Sequence, residues 1–327
     1  MNPENPPFIP KQEQEKSFDL ETWLSSELHE QYEETAKTLN ELGLLEILPE
    51  CGEIGIVGTD GEEYPLPSEE QIKAEILEHK ELFETKMKQG FTKIEITPFG
   101  LPLERLIDAA KRSILKHHKK GKLFGTRKNP EDESEPLEPL ELDENELINV
   151  LDNRSNADTA EAFVYYPKEF SENHQGFTKP ELLDASEKTP FPGFSVYLRE
   201  KNTNIPREGQ GQTQGGRKQL EAGKSSEEYL KILQTHEEYQ NESGQTLEDW
   251  LTLFATHLKK TNQVIDDYQG NGTYNRLIGS YHSSSGDVRG AAWDRDDQRI
   301  IVSWDFPTSH GSDTSVRPVV RVPPLQN

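Results

Sequence analysis

Between Leu20 and Ile114 the apolar residues recur at steps of three and four, whereas between Arg299 and Val322 they recur mostly at alternate positions. A chain that changes its apolar period combines amphipathic helices with half-buried strands, and runs of helix followed by runs of strand point to the α+β class. The helical period is carried first by Leu20, Trp23, Leu24, Leu28, Tyr32, Ala36, Leu39 and Leu42, one stripe with Gly43 as its stop. Ser68 and Gln71 form a capping box at the head of a helix over 69–88, with Ile72, Ile76, Phe83 and Met87 inward and Gly90 at its end. A third helix follows FTKIEITP, a short strand, and places Leu103, Leu106, Ile107, Ala110 and Ile114 on its inner face. Ile54 and Ile56 alternate with small residues ahead of Asp60-Gly61, a dipeptide suited to a tight hairpin turn.

Residues 131–146, EDESEPLEPLELDENE, repel themselves and contain two prolines, so they are expected to stay extended. This gives a Pro-, Glu- and Gln-rich disordered lead-in over 1–16, a helix-rich α+β unit over 17–130, an acidic linker over 131–155 and a second α+β domain over 156–327. In that second domain EAFVYYP reads as a strand, FPGFSVYLRE as an aromatic turn and GQGQTQGGRK as a flexible loop. Ser225 with Glu228, and Thr246 with Asp249, cap two helices, the second carrying Leu247, Trp250, Leu251, Phe254 and Leu258 on one face.

Composition narrows the function. A net charge of −24 disfavours nucleic acid and anionic lipid, and the run KRSILKHHKKGKLFGTRK over 111–128 reads as a solvated helix end. The single cysteine, Cys51, excludes an internal disulfide and any site needing two thiolates from one chain. Nine histidines are scattered without ligand spacing, so no metal and no cofactor is expected. GQGQTQGGRK lacks the lysine placement of a phosphate loop, and no G-x-S-x-G elbow supports a serine hydrolase. Neither a signal peptide nor a membrane span is expected, which gives a cytoplasmic default that leaves surface or virion display open.

The segment from Tyr274 to Val322 sets short apolar pieces among Ser, Asp, Arg, His and Tyr. Ile300, Val302 and Trp304 are expected to face a core, with Arg299, Ile301 and Ser303 on the other side. Trp293 reads as another anchor, and Val316, Val319, Val320 and Val322 as a closing strand. Its ending, SDTSVRPVVRV, resembles the G-V-R-P/F-V motif that closes C-type-lectin folds of the formylglycine-generating-enzyme kind. The layout also resembles the variable proteins of diversity-generating retroelements, which share that fold. The resemblance covers residues 156–327, is sharpest over the last fifty, and departs at Ser315, where Gly is usual.

The resemblance implies a fixed scaffold presenting a mutagenised ligand surface, carried here by Tyr281, His282, Ser283, Asp287, Arg289, Trp293, Asp294, Arg295, Asp297, Arg299, Ser303 and Asp305. Such mixed polar and aromatic surfaces bind by adaptable contact without chemistry. The enzymatic branches of the fold use a C-terminal cysteine pair or an H-x3-H-x-E triad, and neither is present. The expectation is therefore a non-catalytic binder of a protein or surface glycan, with oligomeric state left open. A fixed-sequence structural or assembly protein of a mobile element is the alternative, and an enzyme on the same fold a second one.

Overall fold

The computed structural model describes residues 19–130, 132–150, 158, 163–171, 176–185 and 189–325. The expected lead-in at 1–16, and residue 131 and residues 151–155 of the expected linker, lie outside them.

The chain opens with α1 (Leu20–Thr22), capped by Asp19, a π-helical turn over Trp23–Glu27, and α2 (Leu28–Glu41). Leu20, Trp23, Leu24, Leu28 and Leu39 are buried as the stripe requires, and Gly43 ends the run at φ +71°. Strands β1 (Glu46–Ile47), β2 (Ile54–Val57) and β3 (Glu63–Pro65) form a small antiparallel sheet. The β2–β3 hairpin exists, but Val57 pairs with Glu63, so the connection is five residues long rather than a two-residue turn. Only Gly61 in it takes positive φ, +87°. The helix expected over 69–88 is two, α3 (Glu69–Glu78) and α4 (Lys80–Lys88), broken at His79. Its capping box between Ser68 and Gln71 forms in both directions. Then come β4 (Phe91–Thr97) and α5 (Leu103–Lys119).

The acidic run does not act as a linker. Leu140 and Leu142 pack against the main core, Arg127 donates to the carbonyls of Glu133 and Glu135, and His118 lies 3.3 Å from a Glu144 oxygen. The Glu138 and Glu146 carboxylates pair with Arg295 and Arg299, and that of Glu135 accepts the Lys128 and Asn129 backbone amides, which offsets part of the self-repulsion expected of the run. It leads into β5 (Ile148–Val150).

After β6 (Phe163–Tyr165) and α6 (Lys179–Asp184) comes β7 (Ser195–Glu200). The glycine-rich loop is a hairpin, β8 (Thr213–Gln214) and β9 (Arg217–Lys218), turned by Gly215 and Gly216 at φ +56° and +82°. Positive φ at both turn residues is what a two-residue type I′ hairpin turn requires. Helix α7 (Ser226–Thr235), strand β10 (Ser243–Gly244) and α8 (Leu247–Thr261) follow, both helices with complete capping boxes. The chain closes with β11 (Asp267–Tyr268), β12 (Tyr274–His282), β13 (Val288–Asp294), β14 (Arg299–Asp305), β15 (Thr314–Ser315) and β16 (Pro318–Val322).

Two sheets organise these strands. One runs β15-β12-β13-β14-β5, with β6 also on β12 and β11 on β13; the other runs β10-β16-β7-β4. The second sheet overturns the division into separate units, because β4 of the first half pairs with β7 from Thr97↔Ser195 to Phe91↔Glu200. One core cluster accordingly runs from Leu20 to Val322, with α8 buried along almost its whole length. Burial of this apolar surface is the main stabilising term.

Buried charges tie the halves together as well. Lys86 of α4 reaches Glu242 at 2.6 Å, and Glu242 is held in a fork by Arg217 at 2.7 and 2.8 Å. Arg199 meets Glu95 at 2.9 Å across β7 and β4. Each of these charges has its partner within hydrogen-bond reach, the condition under which a buried ion is tolerated.

Candidate functional site

The S-V-R-P-V ending shows what its arginine does. Arg317 is 4% exposed and makes a forked pair with Asp266 at 2.8 and 3.0 Å; it also donates to Gln245 Oε1 and the Thr203 carbonyl. Asp266 further accepts from the Trp250 indole at 2.7 Å. Four residues on, Arg321 pairs with Asp249 at 2.6 Å and donates to Gly244 O and Ser195 Oγ. Both arginines are internal clamps holding β16 to the body of the fold, and neither is exposed to a ligand.

The twelve residues expected to carry the ligand surface do not form one surface. Strand β13 is seven residues long, so its two ends lie roughly 20 Å apart. At one end stand Trp293, Asp294, Arg295, Asp297 and Arg299. Here Trp293 is fully buried, and Asp294 accepts the backbone amides of Asp296 and Asp297. Arg295 forks onto Asp267 at 2.7 and 2.6 Å and reaches Glu138 at 2.6 Å, while Arg299 pairs with Glu146 and Asp297. These side chains clamp the acidic run onto the β13–β14 hairpin, and that work accounts for their charges.

The other end carries Tyr281, His282, Ser283, Asp287, Arg289, Ser303 and Asp305. Several of these are also internal. Tyr281 is buried edge-to-face against Phe170 and donates to the Ser171 carbonyl at 3.0 Å. Ser303 is bonded to the Tyr274 hydroxyl, and Asp305 to Arg276 at 2.9 Å. Burial works to raise the Asp305 carboxyl, but the Ser309 hydroxyl and Arg276 hold it below the ordinary range. Asp287 is 6% exposed and Arg289 is 4% exposed.

What reaches solvent at this end is a rim. The β12–β13 turn offers half-buried His282 and Ser283, then exposed Ser284 and Ser285. Beside it, Trp304 is 48% exposed and Phe306 is 62% exposed. Trp304 has the alternation of Ile300 and Val302, so it was expected in the core; it lies outside because β14 runs past the core's edge there. Underneath, Arg289 stands opposite Trp304 in register and stacks on Phe163 at 4.3 Å, and Phe163 meets the His282 ring edge-on at 5.9 Å. A cation stacked on an aromatic face beside an exposed tryptophan makes a mixed polar and aromatic patch, with exposed Phe306 two residues on.

Sequence reasoning missed Phe306 and Phe163 and misplaced Trp304. Phe306 carries a signal of its own, a large aromatic beyond the end of an alternating run, whereas nothing in the pattern links Phe163 to a site more than a hundred residues away.

Among the described residues no group of three or more His, Cys, Asp or Glu is placed to hold a metal ion. Nor is any helix there long and apolar enough to cross a membrane. No family model, no curated protein and no solved structure matches this chain.

Proposed function

We propose that this chain is a non-catalytic binding protein with a C-type-lectin-like C-terminal half, its ligand surface being the rim around Trp304, Phe306, His282 and the serine turn. The observation that carries the reading is the exposure of Trp304 and Phe306 together. Two large aromatics, one on the end of β14 opposite Arg289 and one just past it, supply apolar anchors of the kind on which protein interfaces rely. The surrounding Ser283, Ser284 and Ser285 supply adaptable hydrogen bonding, as in antibody paratopes. The occupant that fits is a protein surface; a surface glycan is the other expected ligand and is distinguished by binding.

The lectin-like reading is supported by the closing S-V-R-P-V strand, whose arginine locks the terminal sheet to the chain around Asp266. In this reading the rim is diversified through a retroelement. The test is deep sequencing of the gene's 3′ end across many cells or isolates of one population, paired with selection of binders from a library varied at the rim. Substitutions concentrated at rim codons, with Trp293 and 316–322 fixed, support the reading. Variation no greater there than over 69–120 makes a fixed-sequence assembly protein the better account.

A further inference from the structure

A second concave site lies away from the rim, where the β8–β9 hairpin, the 201–207 segment, Gly270-Asn271 and Lys128-Asn129 enclose a cleft of about 720 Å³. That volume lies within the roughly 300–1,000 Å³ of ordinary small-ligand sites. Its lining is almost wholly polar, and the polar groups are mostly carboxamides rather than carboxylates.

Three of these amides are fixed through one atom and keep the other unspent among the described residues. Asn202 accepts from the Asn204 amide at 2.8 Å through Oδ1. Asn204 donates Nδ2 to the Arg127 carbonyl at 2.9 Å, and its Oδ1 is buried without a hydrogen-bond partner. Asn271 donates Nδ2 to the Thr126 carbonyl at 2.9 Å. Held this way, an amide needs no reordering to bind, and a buried acceptor left unmade is costly enough to favour a donor that reaches it. Gln210 and Gln212 extend the lining along the opposite lip.

The local charge runs against the rest of the chain. Net charge over the whole molecule is −24, yet among the described residues the cleft lining carries Lys128 and Arg207, besides Lys201 with an interaction of its own, and one carboxylate, Glu200. Glu200 is already neutralised by Arg217 at 2.8 Å and bonded by Gln219 Nε2. Arg207 has Asp313 at 3.8 Å, a pair about half exposed and so weak.

From these features we infer that the cleft binds an acidic saccharide, a ring bearing several hydroxyls and one carboxylate or phosphate. Each hydroxyl both donates and accepts, matching carboxamides that offer both functions, and the anion matches the cations. The lining offers no aromatic ring, so recognition is by hydrogen bonding and charge rather than by stacking on a sugar face.

The experiment uses the full chain with saturation-transfer NMR and calorimetric titration. Probes are glucuronic acid, N-acetylneuraminic acid and glucose 6-phosphate, against glucose, N-acetylglucosamine and an acetylated Asp/Glu tetrapeptide. At least one acidic sugar is expected to bind about fivefold or more tighter than the neutral ones, at the scale of one partly exposed ion pair. That preference should fall as salt rises. Carboxylate against phosphate sugars separates the two sources of the anion. Arg207→Gln and Gln210→Glu, both at exposed positions, should each remove the preference, whereas Trp304→Ala should leave it intact. Failure of every sugar to bind, equal binding of acidic and neutral sugars, retention of the preference in both cleft variants, or binding of the peptide alone overturns the inference. Sugar binding lost in Trp304→Ala and kept in both cleft variants would place the saccharide on the rim and likewise overturns the inference, whereas the rim as a protein-binding surface is tested separately by variation and selection.

Discussion

Asp266→Asn tests whether the arginine of the closing motif is held as described. The side chain takes both arms of the Arg317 guanidinium and the Trp250 indole, with Arg317 only 4% exposed. Removing one charge of a buried pair costs about 3–5 kcal/mol, because the survivor stays uncompensated in a poorly polarisable interior. Asn keeps a carbonyl oxygen for the indole and tolerates the φ of +49° at this position, so the lower figure, about 3 kcal/mol, applies. Asp266→Ala loses the indole's acceptor and the short polar side chain that favours positive φ, which brings the cost to about 5 kcal/mol. At about 2 °C per kcal/mol for a chain of this size, the asparagine variant should melt about 6 °C lower by calorimetry or circular dichroism. Adding Arg317→Met removes the orphaned charge, so the double variant should be less destabilised than the sum of the singles. A melting point within about 1 °C of wild type for Asp266→Asn would refute the reasoning.

Other consequences are smaller in scope. Trp293→Ala should cost about 3–5 kcal/mol in chemical denaturation, while Trp304→Ala should stay under about 1 kcal/mol; similar losses would place Trp304 in the core after all. Gly290 stands where an added Cβ would lie 2.0 Å from the Tyr274 ring, whose hydroxyl is bonded to Ser303, so Gly290→Ala should lower stability by about 1–3 kcal/mol. Acid should destabilise the fold partly through His257: burial first, then Arg199, Arg317 and Lys260, push its pKa from 6.5 down to about 3. The native ring stays neutral while the unfolded one protonates, so its contribution is complete above 6.5 and is lost as pH falls from 6.5 toward 3. The slope from this one group is no more than about 1.4 kcal/mol per pH unit, and is reduced because the ring lines a cavity. Stability curves for His257→Gln should be flatter over that interval, and an unchanged slope would remove His257 from the account.

Helices were legible because their signals are local. The capping boxes at Ser68, Ser225 and Thr246 and the stops at Gly43 and Gly90 each need only a few neighbouring residues, and the structure builds them all. The break at His79 was not legible, since nothing in EHKEL forbids a continuous helix and packing alone decides it. Domain division failed for a related reason. Composition alone marks 131–146 as extended, yet Glu138, Glu141 and Glu146 find Arg295, Gln298 and Arg299 more than 150 residues away. Long-range pairing of this kind is invisible to any window.

The same limit split the expected ligand surface, and the split sharpens the proposal. A position tolerates arbitrary substitution only where its side chain has no structural partner, and in β12–β14 few do. Arg295 and Arg299 anchor the acidic run, Ser303 and Asp305 tie to Tyr274 and Arg276, and Tyr281 and Trp293 fill cores. Diversifying the buried Tyr281 and Trp293 would cost several kcal/mol, and each partly exposed pair about 1 kcal/mol or less, against a total stability of about 5–15 kcal/mol. Among the described residues the exposed Trp304, Phe306 and Thr308 carry no such burden, and the exposed Ser284, Ser285, His310 and Ser312 make only surface contacts, with His282, Asp287, Glu228 and Asp313. If the gene is diversified, its variable codons should therefore cluster at these positions and be sparse at 294–303. Substitutions spread evenly from 279 to 315 in folded, expressed chains would mean that the ion pairs of the β13–β14 hairpin are dispensable, and the binding surface would then have to be drawn from both ends of the sheet.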